Sequence, residues 1–384
     1  MKAHKSIYLD YAAATSLDPL VKAAMEPYWS QAFYNPSATY LVAQQVSKAL
    51  QGARSKVAAL LGARPAEIIF TAGGSEANNL AIQGVMQANP DTNVVLSTIE
   101  HDSILMPASR YTHKKVRVLP DGRIDIDNLR TKIDNRTILV SVIYANNEIG
   151  TIQPIREIAK LVADIRQKRH EQDNKIPLYF HTDACQATAY LDLHVRRLGV
   201  DLMTLNGGKI YGPKQSGALF IKTGTILKPQ ILGGGQELGL RSGTENVPAI
   251  MGLAAAIELV QTRREFEVAR LRDLQDMFVT LLNERLPDVV VNGSLKHRLP
   301  NNLHITVPGQ DNERMMMQLD EAGILCATGS ACSASDEQPS HVLKAIGLSD
   351  SQAQSSLRFT MGKATSKADI LYTVTNLTRI VGGL

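Results

Sequence analysis

Lys209 stands in the stretch NGGKIYGPKQSG (206–217), directly after the short apolar run VDLMTL (200–205). Gly207 and Gly208 let the backbone come close to a bulky group, and Tyr211, Gly212 and Pro213 turn the chain sharply away. A lysine presented in this way can condense with an aldehyde, a reaction that needs a fixed approach and a partly dry pocket to lower the amine's pKa. An ordinary basic loop would also account for the segment. What stands at the other strand ends decides between the two.

An aldehyde cofactor held as a lysine imine needs three further partners, and the sequence offers a candidate for each. Pyridoxal 5'-phosphate (PLP) needs a phosphate cradle, and TAGGSEANN (71–79) follows the strand-like EIIF and opens a helical run. Amides at that helix N-terminus, around Gly74, would face the anion, and Ser75 would add a hydroxyl. The pyridine nitrogen needs a carboxylate that keeps it protonated, so that the ring can act as an electron sink. Asp183 in HTDACQ (181–186), directly after the apolar PLYF, fits. A ring should also stack on the pyridine face, and His101 closes the strand-like NVVLSTIEH (93–101). Taken singly, a Gly-Gly turn, a capping aspartate and a lone histidine are ordinary features. Together, at successive strand ends, they match the place where α/β sheets bind ligands.

The elements that must position these residues alternate along the chain. Leu41, Val46, Leu50, Ala53, Val57 and Leu60 recur at mostly three- or four-residue steps, which marks an amphipathic helix before EIIF. TILVSVIYA (137–145) precedes the helical IREIAKLVADIRQ (155–167), followed by PLYF and VDLMTL. Such βαβ punctuation predicts a mostly parallel, doubly wound sheet. A long helical stretch (249–286) then leads to an α+β pattern with VVVNG, NLHITV, LRFTM and a final helix near 369–380. A chain of 384 residues is long enough for two domains. The expected division is a large domain over 15–258 and a smaller one made of 1–14 and 259–384.

Composition narrows the function. With 41 basic and 37 acidic residues the net charge is +4, and the basic residues are scattered, so neither nucleic acid nor a membrane surface is expected as a partner. No apolar run of 18 residues and no signal peptide is visible, which leads to an expected cytoplasmic location. Three cysteines, at 185, 326 and 332, are too few for a disulfide framework and lack zinc-site spacing, so no intrinsic metal site is expected. Cys332 lies in GSACSASDEQPS (329–340), which has the composition of a flexible loop, whereas Cys326 in ILCA and Cys185 beside Asp183 read as buried and inert. Loop composition leaves a structural and a reactive Cys332 equally open.

The chain resembles the class V aminotransferase-like PLP enzymes and, within them, the cysteine desulfurases of the NifS/IscS type. The resemblance runs from YLDYAAAT (8–15) and FYNPSA (33–38) through FTAGGSEANNLAI (70–82), IEH (99–101), NNEIGTIQP (146–154), HTDACQ and KIYGPK (209–214). It continues in GGGQELGLRSGTENVP (233–248), GSAC (329–332), PSHVLKAIG (339–347) and SSLRFTMG (355–362). It implies a fold-type I PLP-dependent transferase, a homodimer that removes sulfur from L-cysteine and releases alanine. By the same resemblance Lys209 and His101 would move protons, Arg358 would pair with the substrate carboxylate, and Asn147 and Gln186 would bond the carboxylate or the cofactor hydroxyl. Cys332 would attack the substrate sulfur and carry it as a persulfide to an iron–sulfur scaffold or another sulfur acceptor, with transient cluster ligation also open to it. Thr244 would reach the phosphate in the neighbouring subunit.

One departure from the family pattern stands beside the lysine. Where relatives carry a histidine and a serine or threonine as phosphate ligands, this chain has Gly208 and Asn206, which offer a backbone N–H and an amide. That leaves the reaction class intact and bears on cofactor affinity. A selenocysteine lyase and a class V aminotransferase would share the same frame, and a non-catalytic sulfur relay would lack the imine.

Overall fold

The computed structural model describes residues 6–328 and 339–383. The first strand, β1 (Ile7–Tyr8), stands apart from the strands that follow: β2 (Ile68–Thr71), β3 (Asn93–Ser97), β4 (His113–Val116), β5 (Thr137–Ser141), β6 (Tyr179–Asp183), β7 (Leu202–Asn206) and β8 (Gly217–Ile221). Those later strands form a seven-stranded sheet in the order β2-β8-β7-β6-β5-β3-β4. Every pairing in it is parallel except the two made by β8. Apart from the edge strand β4, the strands are buried along nearly all their length, and their side chains alternate between two cores. Val95, Val140, Phe180 and Met203 join one face, and Val94, Leu96, Leu139 and Leu202 the other. Helices such as Leu41–Leu61, Gly74–Ala88 and Ile155–Glu171 cover the faces, which is the arrangement that crossover connections between parallel strands impose. The mostly parallel, doubly wound sheet expected from the βαβ rhythm is therefore present.

The C-terminal part contributes β9 (Val290–Val291), β10 (Asn302–Thr306), β11 (Ile324–Leu325) and β12 (Ser356–Thr360). An antiparallel sheet runs β12-β10-β9, while β1 pairs in parallel with β11. The long helices Val247–Thr262 and Arg264–Arg285 meet end to end at Arg263 and run from the large sheet to this part. The Phe278 ring packs tilted against Phe359 of β12, centroids 5.3 Å apart, so the second of these helices covers the small sheet.

One buried ion pair ties the helix Leu41–Leu61 to the loop after β8. Arg54 makes a bidentate contact with Glu237 at 2.7 and 2.8 Å, donates to Ile68 O at 2.6 Å and lies 4.7 Å above the Phe70 ring. Glu237 Oε2 also accepts from Phe70 N, so this carboxylate continues the edge of β2. Removing one partner leaves a buried charge without compensation. Glu237→Gln, which keeps the shape, should cost about 3–5 kcal/mol, read as a lower urea midpoint with unchanged slope. A loss below about 1 kcal/mol would show that the pair behaves like an exposed one.

Candidate active site

Four chain segments end at the same edge of the large sheet. β6 stops at Asp183, and β7 runs into a single 3₁₀ turn, Gly207–Lys209, capped by Asn206 Oδ1 accepting from Gly208 N at 3.0 Å. β2 leads through Gly73, held at φ +140°, into the helix Gly74–Ala88. β3 ends at Ser97, so His101 does not close the strand as its sequence suggests: it sits four residues later as the N-cap of the helix Asp102–Ala108. The apolar run reads as strand through Ile99 because burial continues there after the sheet bonding has stopped.

These ends enclose a cleft of about 580 Å³ lined by Gly74, Ser75, His101, Asn147, Asp183, Gln186, Asn206, Lys209 and Arg358, among others. Nearly every residue singled out from the sequence is thus brought together. Three are not. Gly208 lines an adjoining cavity together with Gly74, Ser75, Asn206 and Lys209, Thr244 lines a separate one with Thr71, Gln215 and Ser216, and Cys332 lies outside the described residues.

Lys209 Nζ donates to the carbonyls of Ala12 and Ala13 at 2.9 and 2.6 Å, and Gln186 Nε2 donates to the same Ala12 carbonyl at 3.0 Å. Asp183 is 4% exposed; its carboxylate accepts from Asn78 Nδ2 at 2.7 Å and from Cys185 N at 2.9 Å. Asn78 Nδ2 also donates to Ser103 Oγ at 2.8 Å, which in turn lies 2.8 Å from His101 Nδ1. Since that nitrogen also accepts from Ser103 N, a neutral His101 carries its proton on Nε2. Asn78 and Ser103 were not among the residues picked out from the sequence. The available signal was an asparagine inside a helix on its buried side, where it needs a specific partner.

Arg358 is 2% exposed on β12. Its Nη2 pairs with Asp10 at 2.7 Å and its Nη1 donates to Asn147 O at 3.1 Å, while Nε is buried with no partner among the described residues. A planar fork with an unused donor suits a carboxylate.

The polar groups behind the cleft are held neutral. Burial depresses His181, wedged between Ser141 and Thr204, to about 4. Burial likewise pushes Glu100 up to about 8, although Ser97 Oγ and Ile143 N both bond its Oε1. Burial, with Asp183 adding to it, moves the Cys185 thiol well above its usual range. For Cys326 burial gives about 12.

The residues present fit PLP. Gly74 and Ser75 open a 15-residue helix whose first amides have no helical partner. A Cβ on Gly74 would come within 2.7 Å of Cys185 Sγ and 3.3 Å of Asn206 Nδ2, so glycine is required where that amide approaches the cradle. Asn206 can therefore offer Nδ2 to a phosphate while its Oδ1 caps the turn. At Gly208 a Cβ would meet nothing nearer than 3.4 Å, so the glycine is not demanded by crowding.

A lysine set among such partners at the strand ends of a doubly wound sheet defines the fold-type I enzymes, which bind PLP through that lysine. The model of the family "Aminotransferase class-V" matches residues 7–372, and the chain belongs to this family of PLP-dependent enzymes. It is 40% identical to the cysteine desulfurase IscS of Dictyoglomus turgidum over 98% of this chain and 95% of the relative. Among solved structures, a NifS-like protein from Rickettsia africae superposes with a TM-score of 0.86 at 29% identity, covering 99% of this chain and all of the other (100%). SspA in complex with cysteine gives 0.79 at 34% identity over 93% of this chain and 99% of that one.

Glu100 provides a test of how dry this wall is. Its folded pKa of about 8 lies above the ordinary 4.5, so the neutral form's contribution to stability is complete below the lower value and is lost as pH rises through the upper one. Glu100→Gln, neutral at every pH, should therefore gain stability relative to the parent between about pH 5 and 9. Parallel pH profiles of urea unfolding for the two proteins would show that Glu100 ionises freely.

Proposed function

We propose that this chain is a cysteine desulfurase that moves the sulfur of L-cysteine onto its own Cys332 and releases L-alanine. The placement of Arg358 carries this reading: a buried guanidinium with an unpartnered Nε shares one cleft with Lys209, which is what an α-amino acid with a free carboxylate requires. The relatives named as desulfurases, and the one solved with cysteine, support the choice of amino acid.

Each residue then has a task. Arg358 binds the substrate carboxylate and so sets the direction of the Cα–H bond, with the Asn147 and Gln186 amides beside it. Lys209 would hold the cofactor, and its Nζ would move the Cα proton. His101 Nε2 is the second proton carrier. Asp183, gripped by Asn78, keeps the proton on the pyridine nitrogen. When bound, PLP supplies the electron sink that takes up negative charge from Cα and loosens the Cβ–S bond. Cys332 forms a bond to the substrate sulfur as that Cβ–S bond breaks. L-Cysteine and an enzyme thiol give L-alanine and an enzyme persulfide, so no outside oxidant or reductant is needed. The persulfide sulfur then passes to an iron–sulfur scaffold or another acceptor protein.

Chain geometry supports the choice of Cys332. Ala327 exchanges backbone bonds with Arg358 at 3.1 and 2.7 Å, and Thr328 is the last described residue before the segment. Four further residues of extended chain reach at most roughly 14 Å, so this thiol is tethered close to the substrate's anchor. The exposed apolar side chains Trp29, Phe33 and Leu41, at 60, 64 and 77%, support a homodimer. In it, Thr244 would act on the neighbouring subunit's phosphate.

Two variants separate the roles. Lys209→Ala should lose the yellow chromophore of the purified protein; a borohydride-fixed pyridoxyl group mapped to Lys214 or Lys222 would refute the assignment. Cys332→Ser should bind L-cysteine, seen as a spectral change, yet form neither alanine nor protein-bound sulfane sulfur, because a hydroxyl is not ionised near neutral pH. Alanine release at the parent rate, or a persulfide mapped to Cys326 or Cys185, would overturn the reading.

A further inference from the structure

Two short backbone arms carry His101 and Asn147 to the cleft. One is Ile99-Glu100-His101 after β3; the other is Asn146-Asn147-Glu148 after β5. They are bonded to each other, because Asn146 Nδ2 donates to Ile99 O at 3.0 Å and Ile143 N donates to Glu100 Oε1 at 2.8 Å. The second arm is rigid in itself: Asn146 Oδ1 accepts from Glu148 N and Ile149 N at 2.9 and 3.0 Å.

Each arm also receives one bond from two successive residues of the C-terminal part. Ser340 Oγ donates to Glu148 Oε2 at 2.5 Å, and His341 Nε2 donates to Glu100 O at 3.0 Å. Glu148 is 1% exposed, so its carboxyl needs that donor. Ser340 Oγ at the same time caps the short helix His341–Ala345, accepting from Val342 N and Leu343 N. Beneath these bonds Ile99, Ile143 and Ile149 pack with Val342, Leu343 and Ile346 in a small core of their own. A purely apolar dock would hold the helix equally well. The polar bonds add direction, and they are made at Glu100 and Glu148, the chain neighbours of His101 and Asn147.

We propose that Ser340 and His341 are positioning residues for sulfur transfer: eight and nine residues beyond Cys332, they fix the chain to the arms bearing His101 and Asn147. The inference rests on the reading of Cys332 as the sulfur acceptor. On the other side of Cys332 the chain is fixed to Arg358 through Ala327. Thiol and substrate are then referred to one frame, and the fixed anchors raise the effective concentration of the thiol at the substrate sulfur. Neither residue touches the reacting atoms.

The test uses the full PLP-loaded protein and separates transfer from binding. Ser340→Ala should leave the chromophore and the spectrally titrated affinity for L-cysteine unchanged, while the single-turnover rate of persulfide formation falls on the order of tenfold or more. Ser340→Thr, which restores the hydroxyl, should recover most of that rate. If Ser340→Ala does not fold, His341→Leu, which removes the donor to Glu100 O and leaves the Ser340 bond to Glu148 in place, carries the same expectation. A parent-like transfer rate in a folded variant would overturn the proposal. So would an equal loss in cofactor and cysteine binding, which would mean that the bonds only support the fold. Mapping the parent's persulfide keeps the two readings apart: sulfur away from Cys332 refutes the desulfurase assignment, whereas sulfur on Cys332 with an unaffected Ser340→Ala refutes this one alone.

Discussion

The hydrogen bond from Asn78 to Asp183 is the constraint around which the cleft is organised. It joins the end of β6 to the second turn of the cradle helix, and the same amide reaches Ser103 and through it His101. A carboxylate 4% exposed stays where its donors hold it, so the helix Gly74–Ala88, Asp183 and His101 are fixed to one another by these bonds. Loss of that one amide would leave Asp183 bonded to Cys185 of its own turn and would remove its link to the helix Gly74–Ala88.

Burial pushes two groups behind the cleft, His181 and Glu100, toward their neutral forms. Arg358 is the exception to neutrality on its side of the cleft, and Asp10 accompanies it from the N-terminal segment, a pairing made possible because β1 lies on β11 beside β12.

The departures at Asn206 and Gly208 have a local logic in the structure. Asn206 spends its oxygen on the turn that presents Lys209 and turns its nitrogen toward Gly74, so one side chain serves the turn and faces the start of the helix Gly74–Ala88. Gly208 has room for a side chain that it does not carry. The groups at this helix N-terminus are amides and hydroxyls rather than formal charges, a donor set suited to an anion.

What the sequence by itself determined was everything governed by short-range rules. The βαβ rhythm, the glycine turn before the helix Gly74–Ala88, the glycine-flanked turn that presents Lys209 and the position of Asp183 at a strand end all follow from periodicity and turn chemistry over about ten residues. Family resemblance added Cys332, Arg358 and Thr244, which no local pattern marks as functional. Tertiary structure alone decided the partners: Asn78 with Asp183 across 105 positions, Ser340 with Glu148 across 192, and Asp10 with Arg358 across 348. It also moved His101 from a strand end to a helix cap, because sheet bonding stops at Ser97 while burial does not. Hydrophobic periodicity reports which face of an element is buried. Which polar groups meet on that face depends on how elements distant in sequence are brought together, and that is settled only when the chain is folded.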